Sequence, residues 1–293
     1  MIKKIEHNIW GNCIEFYNKD IKIIVTLEFG PRILWYGNDE YNILCDSIPK
    51  KLGEFEVNDE IYYLRGGHRL WYSPESYPRT YSPDNDKVQY EIKDNCLNLT
   101  CKNDDLNNLE KKISIIAFDN YFEIKHKVKN TSNWPITLSL WPITMMKAGG
   151  AAVLPLNTAD TKYLPNNQIN LWDYTRLDDC RVTMNKDYVC IKNNPDNDEA
   201  FKIGYKNNKG WIGYISDNYI MIKKFKISIN GLYPDNNSNV ECFTRSNILE
   251  LETLSCLNEI EPSAVFEYSE KWYFEKYSVK TDSNLVKSME NIF

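Results

Sequence analysis

Histidine and arginine are scarce in this chain, and the scarcity narrows the chemistry. Its 293 residues hold three histidines, and only seven of its 35 basic residues are arginine. The lysines are scattered among 41 acidic residues for a net charge of −6, which leaves no basic stripe for nucleic acid. Long apolar runs are missing as well. No stretch approaches 18 apolar residues, and MIKKIEHNIWGN has a lysine pair with no apolar run behind it. Neither a membrane span nor a secretory signal is therefore expected, and the cytoplasm is the expected compartment. Cys13, Cys45, Cys96, Cys101, Cys180, Cys190, Cys242 and Cys256 form no C-x-x-C and no zinc-type pairing with histidine. Set mostly among strand-like hydrophobics, as in NILCD and YVCIK, they are expected to be structural free thiols. A Gly-rich phosphate loop, a G-x-S-x-G elbow and an H-E-x-x-H pair are also lacking, so no cofactor and no metal are expected. No constant period recurs, which argues against a propeller.

What the chain has in quantity is short alternation. Aromatic residues make up 13% of it, and KIIVTLEFG, VQYEI, KISIIAF, FEIKHKVKN, ITLSLW, FKIGY, YIMIKKFKI and ILELETL are separated by Asn-, Asp-, Gly- and Pro-rich breaks such as PDND and NNKG. Helical periodicity shows only marginally, in DSNLVKSMENI. The expected class is all-β, with antiparallel strands joined by hairpins. A hydrophobic content of 42% is enough for a sizeable core, and without a linker the chain is expected to form one domain over 1–293. Residues 141–175 read as a long ordered loop lining a site.

Three of the seven arginines, Arg65, Arg69 and Arg79, fall in or just after LRGGHRLWYSPE. Its two glycines allow positive φ and close backbone approach, placing Arg65, His68 and Arg69 at a sheet edge or cleft mouth. The alternative is a Gly-Gly bulge carrying surface arginines. Next to those cations the His68 imidazole would be held neutral and suited to chemistry. In ILELETL, strand alternation puts Glu250 and Glu252 on one face with Ile248 and Leu254, opposite Leu249, Leu251 and Thr253. If that face lines a cleft, burial and like charge raise one carboxyl toward general-base work; otherwise it is a solvated face. His126 shares its strand face with Phe122, Ile124 and Val128 and reads as a hydrogen-bonded core histidine. Trp71, Trp141 and Trp172 are candidates for stacking on a pyranose.

Four landmarks in order, IVTLEFGPRILWYG, IYYLRGGHRLW, YFEIKHKVKNTSNWPITLSLWPIT and ILELETLSCLNEIEPSAVFEYSEKW, resemble the galactose mutarotase-like superfamily, in particular a bacterial branch of it. The resemblance implies an antiparallel β-supersandwich that binds sugars. It also implies a late-strand glutamate that deprotonates the anomeric hydroxyl, here Glu252 or Glu250, while a histidine protonates the ring oxygen. Arg65 matches a substrate-contacting arginine of the hexose-6-phosphate branch. The position of the usual histidine falls in LSLWPIT, which offers Trp141.

The leading expectation is an aldose 1-epimerase type of isomerase acting on a hexose or hexose phosphate. Glu252 or Glu250 is its base and His68 its acid. Arg65, Arg69 and Asp173 contact the sugar, over Trp71, Trp141 and Trp172. The alternative is a non-catalytic carbohydrate-binding or sensing protein, and a third reading is a glycoside-processing or lyase-like member using Asp173, Asp178 and Asp179.

Overall fold

Alternating segments become strands because one side of each can be buried while the other is not. In Phe122–Asn130 every second residue, from Phe122 through His126 to Asn130, is buried, and those between are half-buried. In the computed structural model, which describes residues 1–276 and 285–293, such strands build two large antiparallel sheets. The first runs in the order Ile2–His7, Gly11–Asn18, Ile21–Thr26, Ile33–Gly37, His68–Ser73, Ile136–Met145, Ile248–Thr253, Val240–Arg245, Phe201–Tyr205, Ile169–Leu171, with Asn258–Ile260 also paired to Ile136–Met145. The second runs Val182–Met184, Tyr188–Lys192, Ala151–Pro155, Trp211–Ser216, Tyr219–Phe225, Val265–Lys276, Phe122–Asn130, Leu109–Ala117, Cys96–Thr100, Gln89–Lys93. A separate hairpin, Glu54–Val57 with Glu60–Tyr63, lies apart from both ladders.

The core lies between the two sheets. Leu249, Leu251, Ile203 and Cys242 from the first sheet share one apolar cluster with Ile124, Leu97, Ile113 and Trp272 from the second. Each fully buried leucine or isoleucine there contributes roughly 1.5–3 kcal/mol. Of the C-terminal helical signal, residues 285–290 form the helix Leu285–Glu290, whose Leu285 and Met289 pack on Trp211, Ile220 and Ile222. Residues 282–284 of that motif lie outside the described residues.

Two expectations need correction. Residues 141–145 continue the strand Ile136–Met145 and 151–155 form Ala151–Pro155, so irregular backbone begins in earnest only after Pro155. WPITMM looked loop-like for its proline, yet it is buried on both sides, as a central strand must be. Likewise His68–Ser73 is no sheet edge but lies between Ile33–Gly37 and Ile136–Met145. The glycines before it explain why it can. Gly66 and Gly67 have φ of 102° and 68°, and a Cβ on them would come within 2.6 Å of the Cys45 carbonyl oxygen and 2.2 Å of the Ile33 carbonyl oxygen.

Candidate functional site

The site is built on the face of the first sheet that points away from the second. In Ile248–Thr253, Leu249 and Leu251 enter the core, which sends Glu250 and Glu252 outward. The same alternation sends Arg69 and Trp71 outward from His68–Ser73, Trp141 from Ile136–Met145, Glu241 from Val240–Arg245 and Lys202 from Phe201–Tyr205. In register, Glu252 stands opposite Ile143 on one side and Glu241 on the other, and Glu241 stands opposite Gly204.

These charges are paired but not saturated. Lys202 Nζ lies 2.7 Å from Glu241 Oε2 and 3.0 Å from Glu252 Oε2. The Trp141 indole N–H donates to the same Glu252 oxygen at 2.9 Å, which leaves Oε1 buried and without a partner among the described residues. The ammonium is held between two indoles, 4.6 Å from the Trp141 ring and 4.7 Å from Trp172. Arg69 donates to Glu250 at 2.9 Å and lies over Trp71 at 4.2 Å, while its Nε and Nη1 have no partner among the described residues. Burial, then the neighbouring Glu250, pushes the Glu252 carboxyl up, and burial pushes Glu241 well up, in both cases against the pull of Lys202. The Lys202 ammonium is in turn held well above its usual range, since Glu241 and Glu252 outweigh the burial that opposes it.

The hairpin covers one side of this cluster through Val57 and Tyr62, whose hydroxyl accepts the Trp71 indole N–H at 2.9 Å. Tyr81 packs edge-on against Trp71, and Trp172 closes the other side. Gly204 makes room for that closure. A Cβ there would lie 2.7 Å from Ser238 Oγ, 3.1 Å from the Trp172 ring and 3.2 Å from Glu241 Cγ. Gly204→Ala is expected to lose about 1–3 kcal/mol by overpacking and to shift tryptophan emission as Trp172 is displaced. Urea unfolding followed by fluorescence checks both.

His68 is on the other side of the sheet, a correction to its expected place beside Glu252. Leu70 and Tyr72 enter the inter-sheet core, so His68 does too, and it is fully buried there. Its ring packs edge-on to Trp272 at 4.8 Å. A base on the outward face and an acid on the inward face of one sheet cannot reach one pyranose. The hydrogen bonds fix its tautomer. His126 Nδ1 meets the Tyr268 carbonyl at 3.2 Å and must donate, so His126 Nε2 accepts from His68 Nε2 at 2.7 Å, and His68 Nδ1 accepts from Thr144 Oγ1 at 2.9 Å. Both rings are neutral, pushed down first by burial, His126 to about 4. Potential ligand atoms of His68, His126 and Glu270 fall within 4.8 Å of one another. Their lone pairs are already used: the imidazoles bond each other, and Glu270 accepts from Lys223 at 2.9 Å, Trp272 at 2.9 Å and Thr253. The arrangement is that of a satisfied buried network.

Arg65 keeps separate company. Its guanidinium lies 3.8 Å over Phe29, donates to Asn85 at 2.8 Å and sits 3.9 Å from Asp84, which Arg32 holds at 2.7 Å. Asp173 is exposed, while Asp178 and Asp179 are paired to Arg176 and Arg181. The structure therefore gathers Glu250, Glu252, Arg69, Trp71, Trp141 and Trp172 and leaves Arg65, His68 and Asp173 outside.

Comparison with solved structures aligns the chain with a galactose mutarotase-like protein from Lactobacillus casei at TM-score 0.56 and 11% identity, over 90% of this chain and 100% of the other. The chain has the galactose mutarotase-like fold. A candidate mutarotase from Salmonella typhimurium aligns at TM-score 0.57 and 10% identity over 94% of each chain. A candidate aldose 1-epimerase from Klebsiella pneumoniae aligns at TM-score 0.60 and 9% identity, over 99% of this chain and 86% of the other. No protein-family model and no curated protein sequence matches the chain. At such identities only the fold is shared, and the site has to be read from this chain's own residues. Within the mutarotase-like fold, sequence reading missed Lys202 and Glu241. The available signal was the alternation that paired Glu250 with Glu252, which also sets Lys202 in FKIGY and Glu241 in VECF on the face opposite their apolar neighbours.

Proposed function

We propose that the chain takes a hexose on the outward face of its first sheet and interconverts its anomers in the manner of an aldose 1-epimerase, with Glu252 as base. The observation that carries this is the Glu252 carboxyl. One of its oxygens is anchored by Trp141 and Lys202, and the other is buried and free to accept a proton. Arg69, with two unpartnered N–H groups, suits sugar hydroxyls or a phosphate, and Trp71, Trp141 and Trp172 supply apolar faces. Because Glu252 is fully buried, with the hairpin on one side and Trp172 on the other, a sugar reaches it only when one of these covers moves aside.

Two-dimensional NMR exchange spectroscopy of glucose, galactose and glucose 6-phosphate tests the reading through the α and β anomeric protons. Exchange faster than in buffer, lowered about 10²–10⁴-fold by Glu252→Gln, is the expected result. No acceleration for any of the three sugars counts against it. A second reading, a sugar-binding protein without turnover, is favoured by Trp141 standing where the resemblance calls for histidine. It expects heat of binding by titration calorimetry with unaccelerated exchange.

A further inference from the structure

Resting on the sugar-isomerising reading above, we propose that Glu241 is the acid of this site, so that two carboxyl groups on adjacent strands do the work of a glutamate–histidine pair. Glu241 and Glu252 stand directly opposite each other in the ladder, both fully buried, with one ammonium between them. Like charges placed directly across a strand pair repel, and Lys202 compensates only one of them. The economical state of the trio is one carboxylate, one carboxylic acid and one ammonium. Burial pushes both carboxyls up, Glu241 well up, in the direction that keeps one proton on the pair. Glu252 also accepts the Trp141 N–H, a donor that favours its ionised form, which leaves the proton on Glu241. Glu241 Oε1 has no partner among the described residues, so a carboxyl O–H there is free to point at a ligand. Lys202 is the poorer acid. Losing its proton would leave a neutral amine between two carboxyl groups, and it is held above its usual range against that loss.

The step balances without a co-reactant. Glu252 takes the proton of the anomeric O1–H, whose electron pair becomes the second bond of C1=O1. The C1–O5 bond breaks with its electrons on O5, and O5 receives the Glu241 proton. After rotation about C1–C2 the freed O5–H attacks the other face of C1, returning its proton to Glu241 while O1 recovers one from Glu252. O1 and O5 share one carbon, and two carboxyl groups that share one ammonium are close enough to serve both.

The test compares wild type with Glu241→Gln, which keeps the shape and a contact for Lys202 but cannot donate as an acid. Anomer-exchange rates and sugar affinities are measured across pH for glucose, galactose and glucose 6-phosphate. The expected result is a fall of about 10²–10⁴-fold in turnover with little change in affinity, together with loss of the alkaline limb of the pH profile. Equal turnover in wild type and Glu241→Gln overturns the assignment and leaves the isomerase reading standing. No exchange in wild type overturns both. Should the variant fail to fold, carbon-13 NMR of the side-chain carboxyls in wild type decides. A glutamate titrating above pH 7 supports the assignment, and all glutamates titrating in the ordinary range overturn it.

Discussion

Replacing Lys202 by methionine is expected to cost about 3–5 kcal/mol of folding stability at neutral pH, among the largest losses available from a single polar change in this chain. Among the described residues the ammonium is the one cation in contact with both Glu241 and Glu252, and all three are buried. Without it, two carboxyls face each other in the interior and must stay protonated. Their folded-state pKa values then rise further above the unfolded one. A raised acid contributes stability that is present at low pH and is lost as pH climbs from the unfolded value toward the folded one. The loss in Lys202→Met is therefore expected to be larger at pH 8 than at pH 5, and Glu241→Gln added to it should recover part of the deficit. Urea unfolding of the three proteins at both pH values gives the numbers, with unchanged m-values as the check on two-state behaviour. A Lys202→Met protein as stable as wild type at pH 8 would mean that the trio is not buried as described.

The His68–His126 pair gives the opposite dependence on pH. Both imidazoles are neutral in the folded protein, with His126 down at about 4, while in the unfolded chain each titrates near ~6.5. Below that value the unfolded state binds protons that the folded state refuses, so stability falls as pH is lowered from about 6.5 toward 4. Between pH 7 and pH 5 His126 should account for a loss of about 2 kcal/mol, and His68 adds to it in the same direction. His126→Gln keeps an acceptor for the His68 N–H and removes one of the two. Its stability should therefore drop less than wild type's across the same interval, by about that amount. Equal drops would show that His126 is not held neutral.

Much of the fold is legible because the code is local. Alternation in FEIKHKVKN and ILELETL is a direct consequence of strand geometry, and the same geometry put Glu250 and Glu252 on one face and His126 in the core. What failed was the step from neighbours in sequence to neighbours in space. Arg65, His68 and Arg69 lie within five residues, yet the positive-φ turn at Gly66 and Gly67 and the alternation after it send them to three environments. Proximity to two arginines made His68 attractive as an acid, but Arg69 points away from it across the sheet. Lys202 and Glu241 were hidden for the complementary reason. Each is a charge flanked by apolar neighbours, in FKIGY and in VECF, and only the ladder order brings Phe201–Tyr205, Val240–Arg245 and Ile248–Thr253 side by side. The WPITMM strand was misjudged because proline and tryptophan suggested a loop, whereas burial on both faces needs no alternation of polarity.

Chemistry on the outward face of the first sheet, and not between the sheets, is decided by anomer-exchange rates of Glu252→Gln and His68→Gln measured beside wild type. Both variants are compared at pH 7 after their melting curves confirm folding. Glu252→Gln is expected to lose the acceleration and His68→Gln, altered only in the inter-sheet core, to keep it. Loss in folded His68→Gln with retention in Glu252→Gln would contradict that placement.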